Sequence, residues 1–182
     1  MDTDLVTRAQ GGDEGAFVSL AVAVGDRLHA VAHRILRDTD LAEDATQQAL
    51  LAIWQDLPQL RDPARFEAWS YRLLVRACYA EGRKSRAWPP NLRLLPSDEP
   101  MEPDALHTVH DRDQLERAFR RLSVDHRAVV VLHHYLDLSL SEVADALGVR
   151  EGTVRSRLYY AMRGLRAALD ADARPAAREV AQ

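Results

Sequence analysis

Few residues in this sequence of 182 could do covalent or metal chemistry, and their spacing argues against it. Five histidines cluster late in the chain: His107, His110, His126, His133 and His134. Their spacing matches no HExxH or similar zinc signature. Adjacent His133 and His134 point to different faces of any helix that carries them, which predicts one packed ring and one solvated ring. Cys78 is the only cysteine, so no internal disulfide and no CxxC metal or redox site can form. It reads as a small buried residue rather than a nucleophile. No serine–histidine–acid grouping and no glycine-rich phosphate loop is visible. The expectation is a protein that is not an enzyme, with no catalytic residues, no metal and no cofactor.

What remains is the chemistry of arginine. Lys+Arg totals 24, and Lys84 is the only lysine. The planar guanidinium suits phosphates and guanine edges in a way that an ammonium does not. Residues 150–170 hold five arginines against two acids. Residues 61–88 hold seven cations against three acids, interleaved with Phe66, Trp69, Tyr71, Tyr79 and Trp88. Rings alternating with cations suit melted or single-stranded DNA, where bases stack and arginines hold phosphates. Phe66, Trp69 and Leu73 fall at core spacing, whereas Tyr71 and Tyr79 are the better candidates for exposure. The whole chain is nevertheless acidic, with a net charge of −4. Nonspecific affinity grows with the number of phosphates neutralised, so strong autonomous nucleic-acid binding is excluded. Local recognition is not.

The elements that position these residues are helical. Hydrophobics make up 47% of the chain, enough for a core, and their spacing is three to four residues with little alternation. Phe17, Leu20, Val24, Leu28, Val31 and Ile35 predict a first helix over 13–36. A second runs over 41–57, ended by Pro58, and a third over 66–86. The second helix carries Glu43, Asp44, Gln47 and Gln48 and then Leu50, Leu51, Ile53 and Trp54, more apolar residues than one buried face needs. A partner surface is expected there. Residues 88–103 hold five prolines with Asp98, Glu99 and Glu102, the pattern of an acidic linker. No apolar run approaches the ~18 residues of a membrane span, and the N-terminus is too acidic for a signal peptide, which predicts a cytoplasmic chain without membrane insertion.

The second domain carries the sharpest local signal. Ser139-Leu140-Ser141-Glu142 can form a capping box. Val143, Ala144 and Leu147 then face inward, Gly148 ends the helix in a left-handed turn, and Val149 plugs the corner. Thr153 opens the next helix, with Val154, Leu158 and Leu165 buried. This is a helix-turn-helix, whose second helix enters the major groove. Its exposed residues, Arg155, Ser156, Tyr159 and Tyr160, with Arg150 in the turn, would reach bases and phosphates. The fold class is all-α, with two small helical domains joined by a proline-rich acidic linker and a helix-turn-helix in the second.

Three segments in this order resemble a known family. The segment 40–54, DLAEDATQQALLAIW, looks like the core-polymerase-binding helix of bacterial sigma factors. FEAWSYRLLVR at 66–76 looks like their −10 recognition segment, and GTVRSRL at 152–158 like the start of their −35 recognition helix. With two helical domains and only a linker between them, the chain resembles the extracytoplasmic-function (ECF) group. The resemblance implies sigma domain 2 at 1–87, a linker at 88–110, sigma domain 4 at 111–170 and a tail at 171–182. It implies core RNA polymerase as the partner, through the clamp of the largest subunit, met by Asp44, Gln47, Gln48, Leu51 and Trp54, and the flap of the second largest. Arg61, Arg65, Phe66, Tyr71, Arg72, Arg76, Tyr79 and Arg83 would handle −10 DNA and capture a flipped base. Arg150, Thr153, Arg155, Ser156, Arg157, Tyr159 and Tyr160 would read the −35 element. Many members are held inactive by an anti-sigma factor. The family often has an acidic residue at the position of Gln48, asparagine at Arg76, aspartate or asparagine at Ala80 and arginine at Tyr160, so the resemblance does not carry over a promoter preference. The rival is a helix-turn-helix regulator that is not a sigma subunit. It explains 139–165 equally well but gives the 44–54 helix and the aromatic–basic helix nothing to do.

Overall fold

The computed structural model describes residues 2–87 and 106–173, and all regular structure among them is helical. The acidic linker expected at 88–103 and the end of the tail lie outside the described residues. The chain opens with α1, Thr3–Gln10, capped by the Asp2 carboxylate. The sequence reading did not anticipate it, because only Val6 and Ala9 bury and two apolar positions make no visible period. It still fastens the fold: the Gln10 amide donates to the carbonyls of Leu57 and Leu60 at 3.1 and 2.7 Å.

α2, Glu14–Leu36, starts from the Asp13 cap and buries Leu20, Val24, Leu28, Val31 and Ile35 on one stripe, as their spacing predicts. Each such large side chain contributes about 1.5–3 kcal/mol. By length and composition this helix could cross a membrane, which corrects the expectation that no apolar run is long enough. Its apolar stripe instead forms the core of the first bundle. Arg37 ends it at φ 59°, a left-handed residue without glycine, and Asp38 caps the next helix at once. α3, Thr39–Asp56, therefore begins inside what reads as a polar break. Two 3-10 turns, Leu57–Gln59 and Pro63–Arg65, lead to α4, Phe66–Ala87. α3 meets the bundle through Ala42, Ala45, Thr46, Ala49 and Ile53, small residues that let helices approach closely.

The second bundle begins with α5, Leu106–Arg120, ahead of the expected border at 111. α6, Val124–Val130, starts at a Ser123 cap and continues as a π-helical stretch, Val131–Tyr135. α7, Leu140–Leu147, carries both halves of the capping box and ends at Gly148 with φ 65°. α8, Glu151–Ala173, starts one residue before the Gly152 of the expected motif and runs past 170.

The two bundles pack together: α4 lies against α7 and α6, and α2 against α6. Gly82 makes room for this. A Cβ there would come within 3.4 Å of Val124 and 3.7 Å of Leu36. At the C-terminal end of α2, Arg37 pairs with Glu116, and the Arg34 guanidinium sits 3.9 Å from the Tyr135 ring centroid. Arg127 donates to the Leu36 carbonyl at 3.4 Å. Burial and neighbouring arginines lower Arg37 to about 10, so it stays charged at neutral pH.

Candidate polymerase and nucleic-acid interfaces

The outward face of α3 is built by the same periodicity that buries its alanines. Glu43, Asp44, Gln47, Leu51 and Trp54 are exposed along it. Leu51 is 61% and Trp54 43% exposed, a large apolar area with an acidic border. Trp54 is fixed rather than loose, because the Phe17 ring meets it edge-on at 4.5 Å between centroids. Gln48, expected on this face, turns the other way. It is half-buried and donates from Nε2 to Glu81 of α4.

α4 departs most from expectation. Phe66 is fully buried, and Tyr71, expected to be exposed, is 2% exposed. Burial pushes the Tyr71 phenol up to about 12, with Arg27 lying 5.6 Å from the ring centroid. Neither ring can stack on a base from this position. Tyr79 is half-buried with its hydroxyl enclosed beside Asp125 and Arg157. The physical reason is that α4 is covered on two sides, by its own bundle and by the second one. Between these covers runs one exposed basic edge: Arg72, Arg76 and Arg83, continued by Arg61 and Arg65 in the preceding turns. Arg72 also reaches the corner of the helix-turn-helix, since a Cβ at Gly148 would lie 4.0 Å from its guanidinium. Lys84 sits at the end of the edge, paired with Glu81 at 2.7 Å.

On α8 the expected buried face is present: Val154 and Leu165 are buried and Leu158 is packed on the core. Arg150, Arg155, Ser156, Tyr159 and Tyr160 are exposed, and Thr153 is half-buried. Arg155 pairs with Glu151 one turn back at 2.8 Å, an orienting acid the sequence reading passed over. The Ser156 hydroxyl donates to the Thr153 carbonyl at 3.0 Å, so its oxygen stays free to accept. Arg157 faces inward and pairs with Asp125 of α6 at 3.2 Å. Beyond the first turns, Arg155, Leu158, Tyr159, Met162, Arg163 and Arg166 line a shallow groove.

His133 Nδ1 is 2.7 Å from the Leu138 carbonyl, while His134 is exposed. The side chains of His107 and His110 lie outside the described residues. No group of three or more metal-binding side chains occurs among the described residues. Cys78 is buried, and burial pushes its thiol up to about 12.

The first bundle and the second each match a known family. Residues 20–87 match sigma-70 region 2, and residues 112–165 match sigma-70 region 4. The chain is 34% identical over 165 residues to the ECF RNA polymerase sigma factor SigL of Mycobacterium tuberculosis, covering 87% of this chain and 93% of that one. It is 33% identical to SigM of the same organism, covering 86% of this chain and 78% of the relative. Among solved structures, CnrH in complex with the cytosolic domain of CnrY superposes with a TM-score of 0.66 at 26% identity, over 94% of this chain and 98% of that one. The sigma factor RpoE of Bartonella quintana, in complex with the anti-sigma factor NepR, shares the fold with a TM-score of 0.67 at 24% identity, over 86% of this chain and 98% of that one. The chain belongs to the ECF group of RNA polymerase sigma factors.

Proposed function

We propose that this chain binds core RNA polymerase in the bacterial cytoplasm and directs it to promoters through separate −10 and −35 contacts, without catalytic chemistry of its own. The observation that carries this reading is the division of labour between faces. α3 presents Leu51 and Trp54 within an acidic and amide border, which suits a protein partner and repels DNA. α4 and α8 present arginine edges, which suit DNA. A free-standing helix-turn-helix regulator would have no use for the α3 face.

In this reading Asp44, Gln47, Leu51 and Trp54 meet the polymerase clamp, and domain 4 meets the flap. Arg61, Arg65, Arg72, Arg76 and Arg83 hold the −10 strand, and Arg150, Arg155, Ser156, Tyr159 and Tyr160 read the −35 element. Domain 2 comprises 1–87, domain 4 comprises 111–170 with α5 leading into it, and 88–110 and 171–182 connect and trail. An anti-sigma factor is the regulatory partner.

The promoter imposes one further step. Its two elements lie about 25 base pairs apart, roughly 85 Å of duplex at ~3.4 Å per step. In the free chain the α4 edge and the corner before α8 touch at Arg72 and Gly148. The domains therefore separate on the promoter, and the chain between Ala87 and Leu106 can span roughly 65 Å when extended. The test is transcription in vitro with core polymerase on a genomic promoter pool. Transcripts that appear only with this protein support the reading; failure to bind core overturns it.

A further inference from the structure

Glu81 is the one acidic side chain among the described residues that is buried, at 3% exposure. A carboxylate taken from water costs several kcal/mol unless it is paired and hydrogen-bonded. One oxygen, Oε1, meets both donors: the Gln48 amide from α3 and Lys84 Nζ at 2.7 Å from its own helix. α3 packs against α4, and most of the residues that α3 buries are small, Ala42, Ala45, Thr46 and Ala49, with little shape to fix a register. Smooth apolar faces can slide by fractions of a turn at low cost. A buried, directional hydrogen bond cannot.

The two helices it joins have different tasks in the function proposed above, on which this inference rests. α3 carries the face offered to polymerase, and α4 carries the arginine edge offered to the −10 strand. From these contacts we propose that Glu81 is a positioning residue for promoter opening: through Gln48 it locks the register of α3 against α4. A polymerase-bound α3 then delivers Arg72, Arg76 and Arg83 to DNA at a fixed place. Gln48 accordingly serves inside the domain and not at the polymerase surface. The second donor, Lys84, remains 64% exposed and closes the pocket while staying at the DNA-facing end of α4.

The experiment uses the full chain reconstituted with core polymerase. Core affinity and the rate of open-complex formation at saturating sigma are measured separately, with thermal melting of each free variant. Gln48→Ala and Glu81→Ala are expected to bind core within twofold of wild type yet open the promoter about tenfold more slowly. The double variant is expected to be no slower than either single one. Gln48→Glu sets two carboxylates together and is expected to slow opening, and combining it with Glu81→Gln, which exchanges the two groups, to restore the rate to within threefold. A variant that merely unfolded would lose core binding and melting together, and the exchanged pair keeps the idea testable in that event. The proposal is overturned if Gln48→Ala weakens core binding while opening normally once saturated, or if the exchanged pair opens no faster than Gln48→Glu alone. A wild-type chain that fails to bind core would overturn the sigma reading itself, a separate result.

Discussion

Arg157 of α8 is paired with Asp125 of α6 at 3.2 Å, which turns a cation of the recognition helix toward its own domain. The enclosed Tyr79 hydroxyl of α4 lies beside both. Arg157 thus braces α8 and is withdrawn from the set of base readers. Replacing it with alanine is expected to lower stability by about 0.2–1 kcal/mol, the range for a solvated ion pair, in chemical denaturation. Base preference across −35 variants should stay as in wild type. A relaxed preference at one position would return Arg157 to the groove.

Arg155, one turn from Glu151, is the opposite case: 70% exposed and held by a single acid at its base. Its alanine variant should lose about 1–3 kcal/mol of discrimination at one −35 base pair if it forks onto a guanine edge. If it holds a phosphate instead, binding weakens evenly across sequences and the salt slope falls by about one. Titration against a panel of single-base promoter variants at two salt concentrations separates these outcomes. Either leaves core binding unchanged.

The contrast between these two arginines shows what the sequence could carry. The helix-turn-helix was legible because its punctuation is local: Ser139 and Glu142 satisfy each other within one turn, and Gly148 takes a backbone conformation that a side chain would strain. The buried stripe of α2 was legible because one period describes one face. α4 was not, since period alone assigns a helix one buried side. Tyr71 and Tyr79 look exposed until a second domain covers them, and nothing within 66–86 announces that domain. Gln48 and Arg157 were misassigned for a related reason. Their partners, Glu81 and Asp125, stand 33 and 32 positions away, beyond any local pattern. α1 was missed because a helix with two buried residues has too little period to notice.

Trp54 tests the polymerase face. Its ring is 43% exposed and steadied by Phe17, the situation of an aromatic anchor awaiting a pocket. Trp54→Ala should weaken core binding by about 2 kcal/mol or more, roughly thirtyfold, measured by competition for core. Melting of the free variant should fall only modestly, because nearly half of the ring already faces solvent. Loss of stability equal to the loss of binding would make Trp54 a packing residue.

Separation of the domains can be watched directly. Ser19 of α2 and Ala167 of α8 are both exposed, one in each bundle. Cysteines introduced at these two sites can be labelled selectively, because Cys78 is buried and its thiol is pushed up to about 12, so it stays protonated and unreactive. Energy transfer between the dyes should be lower in the promoter-bound holoenzyme than in the free chain. Unchanged transfer would mean that one element alone is engaged.

The capping box predicts a pH dependence of known sign. Hydrogen bonds from the Ser139 hydroxyl and backbone amide hold the Glu142 carboxyl below its usual value. A carboxylate depressed in the folded state adds stability that is full above the unfolded value near 4.5 and is lost as pH falls through the lower folded value. Glu142 is exposed, so solvent screens the effect and the increment is small. Removing the cap with Ser139→Ala should cost about 1 kcal/mol at neutral pH, because the first turn of α7 loses an acceptor and Glu142 loses one of its two donors, keeping the backbone amide. The same change should make the acid limb of the stability profile shallower, since Glu142 loses the larger of the two bonds that depress it and keeps only the backbone amide. Because α7 also packs on α4, the loss should appear as weaker energy transfer between the domains at moderate denaturant, before either bundle melts. An acid limb unchanged by Ser139→Ala would show that Glu142 draws its depressed value from elsewhere.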